Sequence, residues 1–304
     1  MKYGLGVNVN ETIHETVGKS VLAEKFGFDH VWVSDVPEQR YAPVVAAAIA
    51  AGTKRIKIGL GLLSPFVHSS LQIASSVVTL VETYGERFEL CIGPGDRNQL
   101  KRIGINLTHQ RGISDYLLTA KKEIEKTLRK HKVDCPIWLG AQGPKMLRVS
   151  QFFDGVLLNY GSSELIKWAV DQVGQAKDRD FKHGIYALSY VYAKHDPKIH
   201  KLLKVSCAAV TLGASKTVLE KLGLAEEVAQ ANKALEDGVS LDSIANLIPD
   251  RSMEFFSIHK RSGKLGAFLA ELSGLGIEHV VFGYPQNHSK QTVRQLSQAL
   301  KLKP

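Results

Sequence analysis

Pro136-Ile137-Trp138-Leu139-Gly140-Ala141-Gln142-Gly143-Pro144-Lys145-Met146-Leu147-Arg148 joins a strand, a turn and a helix start in one unbroken run. Ile137 to Leu139 is a short apolar stretch suited to a buried strand, and the glycines at 140 and 143 let the backbone turn sharply or approach a ligand closely. Pro144 fits the first position of a helix, where its missing amide would have had no helical acceptor anyway. The free amides that follow, with the helix dipole, would face an anion in the turn, typically a phosphate. A well-capped strand-to-helix joint without a ligand explains the same residues.

Working outward, the strand-helix unit repeats in both directions. Upstream lie strand candidates at Tyr3–Val9, His30–Val33, Ile56–Leu62 and Phe88–Ile92. Helical patterns separate them: Val17, Val21, Ala23 and Phe26 up to Gly27, an Ala-rich run from Ala42, and Ser70 to Tyr84. A longer connection leads to a helix from about Ile113 to Lys130. Downstream come a strand at Gly155–Leu158, a helix from Glu164 to Lys177 and a strand from Ile185 to Tyr192. Residues 211–260 break the rhythm with a wholly helical pattern, read as a helical insertion between strands seven and eight. A helix from Lys264 to Gly274, a strand at His279–Phe282 and a helix from Ser289 to Leu300 close the chain. Parallel strands need helical crossovers, and near-continuous Val, Ile and Leu runs imply burial on both faces. The expectation is one α/β domain over residues 1–304, a (β/α)8 TIM barrel carrying the 211–260 insertion. A doubly wound open sheet is the alternative; eight strands, and no Gly-x-Gly-x-x-Gly turn after the first, count against it.

The chain has 304 residues, 39 of them Lys or Arg, and a formal charge of +9. The basic residues are scattered among helices, so a small anionic ligand accounts for them as well as nucleic acid does, and no basic arm or known motif supports the latter. Cys91, Cys135 and Cys207 are widely spaced and form neither a zinc pattern nor a redox pair. The opening residues read as a strand, not a signal peptide, and the longest apolar stretch, around Val44 to Ala51, is too short to span a bilayer. A soluble cytoplasmic protein with reduced thiols is expected.

In such a barrel the site lies at the carboxyl ends of the strands. Those ends carry Asp35; Gly61, Leu62, Leu63, Ser64 and Pro65; Gly93, Pro94, Gly95 and Asp96; Gly140, Ala141, Gln142 and Gly143; Asn159; and Gly283, Tyr284 and Pro285. Glycine gathered on one rim suggests backbone approaching a flat or extended ligand, although short loops demand some glycines on their own account. Asp35 and Asp96 are the paired carboxylates that could divide general acid and base work, and helix N-capping is the plainer role for each. His30, His68 and His109 lack metal-ligand spacing, so no metal site is expected. No nucleophilic serine elbow occurs. Trp32, Trp138 and Trp168 read as packing residues.

Gly61-Leu62-Leu63-Ser64-Pro65-Phe66-Val67, Gly93-Pro94-Gly95-Asp96 and Leu139-Gly140-Ala141-Gln142-Gly143-Pro144-Lys145-Met146-Leu147, in that order and spacing, resemble the coenzyme F420-dependent methylenetetrahydromethanopterin reductase family of the bacterial-luciferase-like superfamily. The resemblance runs over essentially the whole chain. It implies a deazaflavin ring at the barrel mouth, against a strand-three bulge with a non-prolyl cis peptide at Gly61–Leu62. It also implies that Asp35 lies near the ring and that the loops of Gly95, Asp96 and Gly140 to Gly143 surround the cofactor. Together with the strand-end reading this makes Asp35 and Asp96 the candidate catalytic residues and Asp35, Gly61, Leu62, Leu63, Ser64, Gly93, Gly95, Asp96, Gly140, Ala141, Gln142, Gly143 and Asn159 the expected cofactor shell. Hydride transfer to or from a small-molecule substrate, in a homodimer or higher assembly, would follow. Three positions depart from the family. Gly6 stands where a strand-one glutamate is a candidate acid, Val36 where a histidine follows the strand-two aspartate, and Leu63 where a polar residue is usual. The alternatives are an FMN-dependent luciferase-like monooxygenase or flavin reductase, and a barrel that binds a cofactor without catalysis.

Overall fold

Inward and outward positions alternate along each strand, and that alternation divides the interior in two. The computed structural model describes residues 1–7, 11–107, 112–174 and 180–303. Its first half runs β1 (Lys2–Val7), α1 (Ile13–Lys25), β2 (His30–Val33), α2 (Ala42–Gly52), β3 (Lys57–Leu63), α3 (Ser70–Tyr84), β4 (Phe88–Ile92), α4 (Arg97–Arg102) and α5 (Ile113–Lys130). Then come β5 (Ile137–Ala141), α6 (Pro144–Ser150), β6 (Gly155–Leu158), α7 (Ser163–Val173), β7 (Lys182–Tyr192), α8 (Pro197–Gly213) and α9 (Lys216–Leu222). The chain ends with α10 (Ala225–Glu236), α11 (Leu241–Ile244), α12 (Arg251–Phe256), β8 (Ser257–Arg261), α13 (Ser262–Gly274), β9 (Ile277–Pro285) and α14 (Lys290–Ala299).

Strands β1 to β7 pair in sequence, β7 pairs with β9, and β9 returns to β1, all in parallel, so the sheet closes into the expected (β/α)8 barrel. The ninth strand is an addition. Among the described residues β8 pairs only with the carboxyl half of β7, from Leu188 opposite Ser257 to Tyr192 opposite Arg261. Residues 257–260 were expected to be helical; pairing with a long neighbouring strand overrides their local pattern, and Ile258 is fully buried there. The region also gains α8, which starts before residue 211. α4 was not anticipated in the connection after strand four, and β7 begins three residues before Ile185, at Lys182. Residues 8 and 9 of the expected first strand, 175–177 of the helix after strand six, and His109 lie outside the described residues.

Outward strand faces pack against the helices in one continuous core that includes Leu5, Val31, Ile58, Leu90, Leu139 and Val280. Capping boxes start the outer helices cleanly: Thr12 with Glu15 on α1, and Ser69 with Gln72 on α3. The inward faces form a separate cluster of Trp32, Cys91, Trp138, Leu157 and Val281, with Leu62 and Tyr186 above it. Trp32 and Trp138 meet edge to face, their ring centroids 6.3 Å apart, a preferred aromatic geometry. Two indoles fit inside so small a barrel because their strand neighbours lack side chains. A methyl on Gly59 would lie 2.1 Å from Trp32, and one on Gly155 would lie 2.6 Å from Trp138. The tryptophans are therefore packing residues, and they form the plug on which the site stands.

Candidate functional site

β3 carries the irregularity that shapes the floor of the mouth. The Gly61–Leu62 peptide is cis, as the family resemblance implies, and the β3–β4 register shifts between Gly61 and Leu63. The bulge aims Leu62 toward β4 and β5. Methyl groups on Gly93 and Gly140 would lie 2.1 Å and 3.0 Å from its Cδ1. Part of the glycine-rich rim thus exists to seat a leucine, with no ligand required. Gly95 differs: its φ of +89° lies in the left-handed region that favours glycine, and it turns the chain into α4.

Above this floor lies a cavity of about 950 Å3, within the size range of small-molecule sites. Gly61, Leu62, Gly95, Asp96, Gly140, Ala141, Gln142, Gly143 and Asn159 all line it. So do Lys145, from the opening motif, and Arg97, Tyr186, Leu188, Ser215 and Thr217, which carried no signal in the sequence as site residues. A smaller chamber of about 200 Å3 adjoins it, sharing Gly61, Leu62, Gly95 and Asp96, and adds Ser34, Asp35 and Ser64. Two expected cofactor residues are not on either wall. Leu63 is fully buried in the outer core, because the register shift between Gly61 and Leu63 reverses the alternation that would otherwise turn it inward with Gly59 and Gly61. Gly93 is covered by Leu62.

Asp35 and Asp96, far apart in sequence, both line the smaller chamber. Each also has the plainer capping role. Asp96 is the N-cap of α4, its carboxylate accepting from the Gln99 amide at 2.8 Å. The second Asp96 oxygen would lie 2.9 Å from a methyl on Gly213, so the end of α8 packs closely over it. Asp35 accepts weakly from the Ala42 amide at the start of α2, at 3.4 Å, and its other oxygen lies 2.8 Å from His68 Nε2. The sequence marks His68 only as a residue without metal-ligand spacing. Its pairing with Asp35 brings an imidazole to the strand-two carboxylate from the β3–α3 loop, whereas Val36 occupies the adjacent chain position. Among the described residues no group of three His, Cys, Asp or Glu side chains is arranged to hold a metal ion.

The opening motif forms as read, with different proportions. β5 extends to Ala141, Gly143 is the N-cap and Pro144 opens α6, which is only seven residues long. So short a helix carries little dipole, and the positive charge on this wall comes from the Lys145 and Arg97 side chains. Tyr160 steadies the turn by donating to the Gln142 carbonyl at 2.7 Å. Cys91 lies at the cavity floor, but burial pushes its thiol far up, so it is inert as a nucleophile. All three cysteines are buried free thiols, and no described helix is long and apolar enough to cross a membrane.

Comparison with known proteins reveals matches over essentially the full chain. A family model described as luciferase-like monooxygenase matches residues 2–279. The 5,10-methylenetetrahydromethanopterin reductase of Archaeoglobus fulgidus is 29% identical, the match covering 97% of each chain. The solved structure of the coenzyme F420-dependent tetrahydromethanopterin reductase from Methanopyrus kandleri superposes with a TM-score of 0.84 at 21% identity, covering 99% of each chain. An F420-dependent secondary alcohol dehydrogenase, solved in complex with an F420-acetone adduct, superposes with a TM-score of 0.73 at 16% identity, covering 98% of this chain and 97% of that one.

Proposed function

The chain belongs to the luciferase-like monooxygenase family, and from this premise we propose that it is a coenzyme F420-dependent oxidoreductase moving a hydride between the deazaflavin and a small substrate. The observation that carries this reading is the cavity of about 950 Å3 over the β3 bulge. A flat ring with a phosphate-bearing tail needs an apolar slot continuous with a polar, cationic one. Leu62, Leu157 and Leu188 supply the first, and Arg97, Lys145, Ser215 and Thr217 the second. The residues present therefore fit the group.

Gly61, Leu62, Gly95, Gly140, Ala141, Gln142, Gly143 and Asn159 would hold the ring and its near substituents, with Arg97 and Lys145 toward the anionic tail. When bound, the deazaflavin supplies the hydride chemistry. The protein's part is to orient the substrate, shield it from bulk water and place polar groups beside the reacting carbon. Asp35 with its His68 partner, and Asp96, would line the substrate's polar side in the smaller chamber. The names of the relatives make 5,10-methylenetetrahydromethanopterin the first substrate to test and a simple ketone such as acetone the second.

Coenzyme F420 and FMN are to be added separately to the purified protein and binding followed by fluorescence. F420 is expected to bind and to be turned over with one of the two substrates. Tight FMN binding with none of the deazaflavin would sink the proposal in favour of a flavin enzyme.

A further inference from the structure

Tyr186 stands on β7 at an inward position and reaches past β9 toward β1 and β2. A methyl on Gly6 of β1 would lie 2.4 Å from the Tyr186 hydroxyl, and that hydroxyl is 2.9 Å from the Ser34 hydroxyl at the end of β2. The phenol thus fills the volume that any side chain at position 6 would need. The slot is firmly framed, because the buried Asn287 side chain donates to the Gly6 carbonyl at 2.6 Å. Tyr186 lines the larger cavity and Ser34 the smaller one, so this hydrogen-bonded pair of residues lies between the two chambers. Burial pushes the phenol up to about 12 against the lowering effect of the Ser34 hydrogen bond, so it stays protonated at neutral pH and is able to donate.

We propose that Tyr186 is the proton donor of the site, with Ser34 as its relay, for a substrate whose hydride-accepting carbon is bonded to nitrogen or oxygen. The proposal rests on the hydride-transfer reading above, with reduced F420 as the hydride source. In a 5,10-methylene compound the reacting carbon bridges two nitrogens. One C–N bond breaks and its electron pair stays on nitrogen, which takes the Tyr186 proton. The hydride pair forms the new C–H bond, leaving a methyl group on the other nitrogen. In a ketone the C=O π pair moves to oxygen, which takes the same proton. The phenolate recovers a proton from the Ser34 hydroxyl, which is refilled from solvent in the smaller chamber. One hydride and one proton are consumed in either case. A neutral phenol here supplies the function for which Gly6 has no side chain.

Tyr186→Phe removes the proton while keeping the ring against Gly6. With reduced coenzyme F420 and 5,10-methylenetetrahydromethanopterin or acetone as probes, kcat is expected to fall about a hundredfold, in the range of general acid catalysis. F420 affinity by fluorescence and the thermal midpoint should stay at wild-type values. Combining Tyr186→Ala with Gly6→Glu puts a carboxylic acid into the vacated volume. It should recover about tenfold over Tyr186→Ala and add a fall in rate as pH rises through the carboxyl's range, a limb the wild type lacks. A Tyr186→Phe enzyme within threefold of wild-type kcat overturns the assignment. An equal loss of kcat and of F420 affinity overturns it too, since that marks a packing role. Failure of the wild-type protein to bind F420 is a separate result, which removes the functional reading and this proposal with it.

Discussion

A methyl group on Gly93 would land 2.1 Å from Leu62 Cδ1 and 3.2 Å from the Gly140 carbonyl oxygen. The leucine end is the movable partner, and the free volume next to it is the cavity it already lines. Gly93→Ala is therefore expected to leave the fold intact and push Leu62 into the cavity. Deazaflavin affinity should weaken about tenfold, roughly 1.4 kcal/mol. Adding Leu62→Ala should restore most of it, because the clash disappears with the longer side chain. Fluorescence titration of the two variants checks this, and an additive loss in the double variant would show that Gly93 meets the ligand directly. Tyr186 follows the same logic. Its inward position is legible from the alternation of Gly184, Tyr186 and Leu188, but its partner Gly6 is 180 positions away, and no local pattern links them.

Among the elements, α4 separates two roles that one carboxylate can hold. Asp96 caps this six-residue helix and also lines both chambers. Asparagine caps a helix about as well as aspartate, while alanine forfeits roughly 1 kcal/mol. If Asp96 only caps, Asp96→Asn should behave as wild type and Asp96→Ala should lower both stability and activity. Our reading, in which Asp96 lines the substrate's polar side, instead expects Asp96→Asn to keep the urea midpoint and lose about tenfold in kcat through poorer substrate orientation. Measuring both quantities on both variants decides between them. Elements with strong local signals were legible in the sequence: the apolar strands, the capped helices and the Gly143-Pro144 start of α6. β8 and α4 were not. β8 is a strand only because β7 extends far enough to pair with it, and α4 is a single capped turn and a half whose apolar content is one buried leucine, Leu100. Likewise the thirteen positions read as site residues rest on strand ends together with the family resemblance. Leu63 and Gly93 are not on either cavity wall, Leu63 because the bulge turns it outward and Gly93 because Leu62 covers it, and a count of strand ends shows neither.

The whole molecule carries a polar floor beneath its aromatic plug, and this sets how stability responds to acid. At the amino-terminal end of the barrel His30 and His279 pack edge to face at 5.1 Å, with Glu89 3.8 Å from His30. Lys2, Lys57 and Lys182 face the same region. Burial first, then these positive neighbours, push His30 down to about 3 and His279 down to about 4. In the unfolded chain both would titrate near their ordinary value of about 6.5. Between about 4 and 6.5 the unfolded state therefore binds protons that the folded state refuses. The stability these neutral histidines allow is fully present above about 6.5 and is withdrawn as pH falls. Each group removes roughly 2 kcal/mol between pH 7 and pH 5. Glu89 works the other way: burial raises its pKa, so its unfavourable ionisation in the fold eases as the solution becomes more acidic and returns part of the loss. Urea unfolding at pH 7 and pH 5 should thus show a net loss of stability, to which the partly buried His259, also pushed down to about 4, contributes. His30→Leu should reduce that loss by roughly 2 kcal/mol by removing one of the refusing groups. A wild-type profile level to within about 0.5 kcal/mol over that interval would mean that the floor takes up protons without opening. The histidine pair would then be a charged element of the folded barrel rather than a neutral one.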